Sequence, residues 1–200
     1  MNAVSDVGTK GERSRRAVLE AAVARFARDG YRATSVADIA RDAGLSPTAA
    51  YAYFPNKEAL FIAAVDEDAA GEIGEGLTSV LAGEFEGDWR RMVQTLLQAL
   101  DRHPLARRVL AGLEPDFTTR LLGIAALEQL RKGIAEVLAA DQATGKVRPD
   151  IDPRTMAGGL VSIVMAVLIA VLQTGADTDG VLGDEIHAVL DAALRGPAQR

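Results

Sequence analysis

The sequence contains no cysteine and only two histidines, His103 and His187. The absence of cysteine excludes a disulfide scaffold, a thiolate zinc site and a cysteine nucleophile. Two histidines so far apart in the chain are too few for a histidine-rich metal site. We therefore expect neither a metal ion nor a cofactor.

Catalytic motifs are also missing from the sequence. It has no glycine-rich phosphate loop, no metal-spaced group of histidine and carboxylate residues, and no nucleophile elbow. Carboxylates that do lie close together, such as Asp66 and Glu67, are in polar stretches typical of a solvated surface. We therefore expect no catalytic residues and no enzymatic activity.

The first residues contain no apolar stretch that could serve as a signal peptide, which predicts a cytoplasmic protein. Hydrophobic residues make up 48% of the chain and charged residues 25%, a composition typical of a folded globular protein. Although the net charge is −6, residues 1–60 carry 9 Lys and Arg against 7 Asp and Glu, and the remainder carries 13 against 21. This asymmetry indicates that the N-terminal part is the one able to contact a polyanion.

Residues 13–29 carry apolar side chains at helical spacing, which predicts a first helix. Gly30 follows as the glycine that ends it, and the pair Phe26 and Tyr31 is predicted to close its C-terminal end.

Three cap signals then mark short helices. Ser35 predicts one N-terminus, Ser46 followed by Pro47 predicts a second, and Asn56 predicts a third. Gly44 permits a left-handed backbone and a tight turn between the first two of these helices. Short helices joined by a glycine turn describe a helix-turn-helix domain.

Helical spacing continues through the rest of the chain, over 89–100, from Pro104, and over 117–140, 153–173 and 181–194. No segment alternates in the way that predicts a half-buried strand. The predicted fold class is all-α.

Within the helix-turn-helix, a DNA-binding protein places its second helix in the major groove. Thr48 offers a methyl group and a hydroxyl to base edges, and the phenols of Tyr51 and Tyr53 can donate to phosphate. Lys57 lies at a helix N-terminus, where free N–H groups and its charge both favour a phosphate oxygen.

The stretch GYRATSVADIARDAGLSPTAAYAYFPNKEALF resembles the N-terminal domain of the tetracycline-repressor (TetR) family of regulators. The matching residues are Gly30, Thr34, Ile39, Ala40, Gly44, Ser46, Tyr51, Tyr53, Phe54, Asn56, Lys57, Glu58 and Leu60. The resemblance implies an all-helical homodimer with a variable C-terminal ligand domain. Two departures stand out, because the family commonly has a glycine where Thr48 lies and a bulky aliphatic residue where Ala50 lies.

By this resemblance Pro47 and Thr48 face the bases, and most of the other candidates contact phosphate. The predicted DNA-binding residues are Thr34, Ser35, Ser46, Pro47, Thr48, Tyr51, Tyr53 and Lys57. Simpler interpretations remain open: the tyrosines as half-buried aromatics, Thr34 as a helix cap, and Lys57 as a solvated lysine. The basic residues Lys10, Arg13, Arg15 and Arg16 either reach DNA or belong to a solvated tail.

We predict three regions: a flexible N-terminal arm over 1–12, a helix-turn-helix DNA-binding domain over 13–56, and a ligand-binding and dimerisation domain over 57–200. The function expected is that of a ligand-responsive repressor, a homodimer on a palindromic double-stranded DNA operator. The alternative is a helical protein-interaction module that does not bind DNA.

The apolar stretch 156–172 is at the short edge of a membrane span. Gly158, Gly159 and Ser162 weaken that interpretation, and no cluster of Lys or Arg flanks the stretch. A helix that is apolar all round can instead be covered by its own core and by a second subunit. We predict a dimer interface rather than a membrane partner, formed by Leu160, Val164, Val167, Leu168, Val171, Ile186, Val189 and Leu190.

The effector is predicted to be a small apolar or aromatic molecule, because ligand pockets are mostly apolar with a few polar groups. The candidate lining residues are Trp89, Met92, His103, Phe117 and Arg120. Two of them have simpler interpretations, Met92 as a core residue and His103 as a cap or surface residue.

Overall fold

The computed structural model describes the backbone of residues 9–81, 89–121, 123–176 and 181–195. Side chains are described for the same residues except 72, 75–81, 89–90, 121 and 181–183. Every regular element in this described part is a helix, which confirms the all-α prediction. The chain forms two compact units, Met1–Asp68 and Ala69–Arg200.

The first unit contains three helices and the beginning of a fourth. The helices are α1 (Lys10–Ala33), α2 (Val36–Asp42), α3 (Pro47–Tyr53) and α4 (Lys57–Leu81). Because α1 begins at Lys10, residues 10–12 are helical, although we assigned them to a flexible arm. A capping box explains this start: the Thr9 hydroxyl accepts the N–H of Glu12, and the Glu12 carboxylate accepts the N–H of Thr9.

Gly30 interrupts the helical geometry of α1, with φ 81° and ψ 170°, before one further turn runs to Ala33. This backbone conformation is essentially restricted to glycine. The predicted contact across the break is present, since the rings of Phe26 and Tyr31 stack with their centroids 6.1 Å apart.

The predicted caps of the next helices are all confirmed. The Ser35 hydroxyl accepts the N–H of Asp38, the Ser46 hydroxyl accepts that of Ala49, and the Asn56 side chain accepts that of Ala59. Between α2 and α3, Gly44 has φ +69°, the left-handed backbone that the tight turn requires.

Aromatic rings form the centre of the first unit. Phe26 of α1 and Phe61 of α4 have no exposed surface and meet edge to face, with centroids 4.9 Å apart. Tyr31 contacts Phe61 in the same way at 5.1 Å. The helices α2 and α3 pack on α1, so this cluster and its neighbours fix the helix-turn-helix to the start of α4.

A bidentate ion pair also ties α1 to the end of α2. The Arg25 guanidinium donates to both carboxylate oxygens of Asp42, at 2.7 and 3.0 Å. These hydrogen bonds hold the pKa of Asp42 below its ordinary value.

The second unit begins within α4, at Ala69. Its helices are α5 (Trp89–Ala99), α6 (Pro104–Leu110), a 3₁₀ turn (Pro115–Phe117), α7 (Thr118–Leu121), α8 (Ala125–Ala143), α9 (Pro153–Thr174) and α10 (Val181–Arg195). The prediction of a single helix over 117–140 is wrong, because the helical structure is interrupted between α7 and α8. Gly123 forms a turn there by donating its N–H to the Arg120 carbonyl, and Ile124 is extended.

Among the described residues of the second unit, two groups of apolar side chains pack around α9. Val93 of α5 packs with Val167 and Leu168 of α9 and with Leu190 of α10. In the other core, α8 packs along α9 through Ala135, Leu138, Met156 and Ala157. The helix α9 therefore contributes to both cores.

One helix in the described part of the chain, Pro153–Thr174, is long and apolar enough to cross a membrane by length and composition. Only 28% of its most apolar window is buried within the single chain. The outward face carries small uncharged residues, among them Gly159, Ser162 and Ala166.

We expect Gly30→Ala to lower the free energy of unfolding by about 1–3 kcal/mol, because a Cβ is strained at this backbone conformation. Chemical denaturation monitored by circular dichroism measures the change. Gly74→Ala is the control: Gly74 is exposed within α4 with open space around it, so alanine should raise stability by about 0.5–1 kcal/mol. Equal effects at the two sites would contradict the account of Gly30.

The Arg25–Asp42 pair should make stability depend on pH. Because the pKa of Asp42 is lowered by folding, its contribution is complete above the unfolded-state pKa of aspartate and is lost as pH falls through the lower folded value. Thermal unfolding of Asp42→Asn should therefore show lower stability at neutral pH and a smaller loss on acidification below about pH 4 than the wild type.

The control for that measurement is Glu136→Gln, which removes an exposed carboxylate from α8 in the second unit. A pH profile that is unchanged by Asp42→Asn, or that changes as much in Glu136→Gln, would contradict the role of this pair.

Candidate nucleic-acid interface

The helix α3 is short and held at both ends. Pro47 is its first residue, where its missing N–H costs little, and Ser46 caps it from outside at 3.2 Å. Its inner side rests on Ala50, which has no exposed surface, and the chain leaves it through the buried Phe54. Alanine at the inner position thus packs fully where the family commonly has a larger side chain.

The outer side of α3 is open to solvent. Pro47, Thr48, Tyr51 and Ala52 are all exposed, and Tyr51 keeps 49% of its surface accessible. Tyr51 is therefore not a half-buried scaffold aromatic. Three of these residues are predicted DNA-binding residues, and Ala52 is their neighbour. All four project from one short helix, as insertion into a groove requires.

Tyr53 differs from Tyr51, because it is half-buried at the end of α3. Its hydroxyl lies 4.0 Å from the place where a Cβ would stand on Gly11, in the first turn of α1. Close by in sequence, Arg15 of α1 places its guanidinium 5.2 Å from the centre of the Phe54 ring. The basic first turns of α1 therefore flank the C-terminal end of α3.

The side chain of Thr34 is directed into the first unit. It is only 3% exposed, and its hydroxyl donates to the Gly30 carbonyl at 2.7 Å. The physical reason is the break at Gly30, which leaves a carbonyl inside the unit that needs a donor. The simpler interpretation of Thr34 as part of a helix end is the correct one.

Ser35 and Ser46 are both exposed caps, but their hydroxyls differ. That of Ser35 donates to the Asp38 carboxylate at 2.7 Å, so it is engaged within the helix end rather than directed at DNA. This bond, more than that from Arg41, lowers the pKa of Asp38. The Ser46 hydroxyl accepts an N–H and keeps its proton for a second partner.

Lys57 begins α4 and is positioned by a contact that its sequence surroundings did not predict. Its ammonium lies 4.4 Å from the centre of the Tyr31 ring and 3.5 Å from the Arg32 carbonyl. A cation on an aromatic face keeps part of its charge accessible. The simple interpretation of Lys57 as a solvated lysine is therefore incomplete.

The candidate effector residues have different surroundings. The side chain of Trp89 lies outside the described residues. Met92 packs against the core around Val93, which supports its interpretation as a core residue. Phe117 is buried in the 3₁₀ turn, and the Arg120 guanidinium lies 5.8 Å from the centre of its ring.

His103 precedes α6 and is half-buried, and its side chain makes no cap hydrogen bond with that helix. Its imidazole instead faces α4, since a Cβ placed on Gly71 would stand 2.6 Å from His103 Cε1. Glycine at this position is what allows the ring to approach the helix.

The predicted dimer residues divide into two groups. Val167, Leu168 and Leu190 are buried in the single chain and have almost no area left for a partner, so assigning them to an interface was wrong. Leu160, Val164, Val171 and Ile186 are partly buried against the same core, and Val189 remains 60% exposed. Sequence periodicity could not separate the two sides of so uniformly apolar a helix.

Within the described part of the chain, no group of three or more His, Asp or Glu residues could hold a metal ion.

Comparison with known proteins agrees with this geometry. The family model for bacterial regulatory proteins of the tetR family matches residues 18–64. YdgC of Bacillus subtilis, an uncharacterized HTH-type transcriptional regulator, is 26% identical over 91% of this chain and 93% of its own. AcnR of Corynebacterium efficiens, an HTH-type transcriptional repressor, is 28% identical over 95% of this chain and 97% of its own.

Among solved structures, FadR of Thermus thermophilus has the same fold, with a TM-score of 0.62 and 24% identity over 93% of this chain and 96% of that one. That protein is a TetR-family repressor crystallised with lauroyl-CoA. The matched family segment contains α2, α3 and their caps, and the relatives align over nearly the whole length. Residues 18–64 therefore form a DNA-binding domain of the tetR-family type, and the chain is a DNA-binding transcriptional regulator.

Proposed function

We propose that this protein is a ligand-responsive repressor that binds a palindromic operator as a homodimer. In this proposal residues 13–56 form the DNA-binding domain and residues 57–200 the ligand-binding and dimerisation domain. The observation that supports it best is the exposed outer face of α3, whose inner face is fixed by Ala50 and by the Ser46 cap. A DNA partner also favours a cytoplasmic location.

In the complex, Pro47 and Thr48 contact base edges, since the N-terminal residues of the second helix do so in such domains. Ser46, Tyr51, Tyr53 and Lys57 donate to phosphates, which orient the helix without specifying sequence. Neither Thr34 nor the hydroxyl of Ser35 takes part, because both are engaged within the protein.

A single α3 makes few contacts, so affinity requires two copies on one duplex. Two half-sites facing the same side of B-DNA lie about 34–36 Å apart, or a multiple of this distance. We propose that α9 and α10 form the interface between the copies. The partly covered Leu160, Val164, Val171 and Ile186, the exposed Val189 and the small outward residues of α9 supply an uncharged surface.

A second subunit also explains why α9 is apolar on the side that its own chain leaves uncovered. A membrane would cover that side too, but the same helix supplies buried residues to both cores of the second unit. If α9 entered a membrane, it would leave these cores and expose their apolar residues. We therefore propose that a protein partner covers the helix.

We propose that the effector is a small apolar or aromatic molecule bound in the second unit. The buried Phe117 with Arg120 beside it supplies an apolar surface with an adjacent cation. Lauroyl-CoA, with which the Thermus FadR was crystallised, is much larger, but it also combines an apolar chain with an anionic head.

The effector would act through α4, which starts beside the helix-turn-helix and ends in the second unit. His103 at the start of α6 lies against Gly71 of α4, so a shift of α6 would move α4. To change the DNA-competent fraction from 99:1 to 1:99, an effector must prefer the non-binding state by about 10⁴-fold.

Lys57→Gln should weaken binding to every duplex and lower the slope of log affinity against log salt concentration by about 0.9 for each phosphate that the lysine neutralises. Fluorescence anisotropy with labelled duplexes at several salt concentrations measures both quantities. Tyr51→Phe should weaken binding just as uniformly but leave the slope unchanged, because no charge is removed.

Lys146→Gln is the charge-matched control, since Lys146 is exposed in the second unit. If Lys57→Gln behaved like Lys146→Gln, the phosphate contact would be disproved. If binding of the wild type to duplex DNA did not weaken as the salt concentration rises, the alternative of a protein-interaction module would be favoured.

Val189→Glu should dissociate the dimer, because two carboxylates would be buried in an apolar interface. We expect the dimer dissociation constant to rise by at least about 100-fold, or roughly 3 kcal/mol. Analytical ultracentrifugation measures it. Leu113→Glu is the matched control, since Leu113 is 59% exposed and lies outside α9 and α10. Dissociation by Leu113→Glu but not by Val189→Glu would refute this interface.

A further inference from the structure

We propose that α3 distinguishes base pairs mainly by the C5 methyl group of thymine, through the methyl-bearing and apolar side chains of Pro47, Thr48 and Ala52. This inference rests on the proposed insertion of α3 into the major groove. It goes further by naming the chemical group that carries sequence information.

The helix α3 lacks the side chains that make the strongest contacts with bases. Its sequence, PTAAYAY, contains no Lys, Arg, Asn, Gln, Asp or Glu. The strong bidentate contacts of the major groove are those of Arg or Lys with guanine and of Asn or Gln with adenine, and acidic side chains accept from cytosine. None of these contacts can come from α3.

Two arginines of the neighbouring helices α1 and α2 are engaged with carboxylates. Arg41 of α2 pairs with Asp38, and Arg25 of α1 makes its bidentate pair with Asp42. Either guanidinium would have to give up an ion pair within the protein before it could contact a base. Loss of that ion pair would offset part of the affinity gained from a contact with guanine.

The exposed side of α3 carries apolar groups. Pro47, Thr48 and Ala52 are all exposed to solvent. Pro47 carries an apolar ring, and the other two side chains each carry a methyl group. Thr48 and Ala52 are four residues apart, so their side chains are neighbours on one face of the helix. Pro47 and Thr48 are its first two residues, at the end that meets base edges in a helix-turn-helix complex.

The hydroxyls of Thr48 and Tyr51 do not provide an alternative code. Each can donate or accept a hydrogen bond, so each can satisfy a donor or an acceptor on any base pair. An apolar surface, in contrast, gains more free energy against the thymine methyl than against the smaller C5 hydrogen of cytosine. The distinction available to α3 is therefore between thymine and unmethylated pyrimidines.

The closing experiment uses the tightest-binding duplex selected from a random pool as its probe. Each thymine in turn is replaced by uracil, which removes only the methyl group. We expect two or more positions in each half-site at which affinity falls about fourfold, the factor that corresponds to one buried methyl group. At those positions cytosine should also bind weakly, and 5-methylcytosine should recover part of the loss.

Two variants assign the effect to α3. Thr48→Ser keeps the hydroxyl and removes the methyl group, and should abolish the uracil penalty at one position, whereas Thr48→Val should preserve it. Ala52→Gly should abolish the penalty at another position. Thr119→Ser, at an exposed threonine of the second unit, is the control and should leave every penalty unchanged.

The possible failures are distinguishable. If the wild type binds its selected duplex tightly but no uracil substitution weakens it, the methyl proposal is overturned and DNA binding through α3 stands. Penalties that persist unchanged in Thr48→Ser and Ala52→Gly overturn it equally, since the methyl groups would then be contacted from elsewhere. If no duplex binds even at low salt, the proposed function fails and this inference fails with it.

Discussion

The edge-to-face contact of Phe26 with Phe61 fixes the direction in which α3 points. Both rings are fully buried, and they join α1, on which α2 and α3 pack, to the first turns of α4. A recognition helix of seven residues has too little surface to hold its own orientation. Its caps, the Gly44 turn and the buried Ala50 transmit the rigidity of the aromatic cluster to its exposed face.

Affinity and specificity depend on different parts of this unit. The cations lie around α3 rather than on it, in the first turns of α1 and at the start of α4. Such charges contribute a salt-dependent attraction to any duplex. The helix itself presents uncharged side chains, and in our proposal discrimination between sequences depends on methyl groups. This division explains how a chain with a net charge of −6 can still bind a polyanion with its N-terminal part.

Local features were predictable from sequence, because their partners lie within a few residues. The caps at Ser35, Ser46 and Asn56 each involve an N–H three residues further on, and the glycine turn needs only its own backbone. Contacts between distant positions left no such pattern. The Lys57–Tyr31 contact and the Arg25–Asp42 pair join different helices and became visible only in three dimensions.

Each of the wrong predictions has a physical cause. The side chain of Thr34 turns inward because Gly30 leaves a carbonyl to satisfy, and a polar residue near a motif does not reveal which partner it will choose. On α9 every face is apolar, so periodicity could not tell the core residues Val167 and Leu168 from the outward ones. The break near Gly123 was missed because apolar spacing continues across it.

In the proposed complex, two copies of α3 held at a fixed distance insert into one duplex. Selection of bound sequences from a random duplex pool, followed by sequencing, tests this most directly. We predict enrichment of an inverted repeat whose half-sites are centred one helical turn, or a multiple of it, apart. Enrichment of a single asymmetric site, or of no sequence at all, would contradict it.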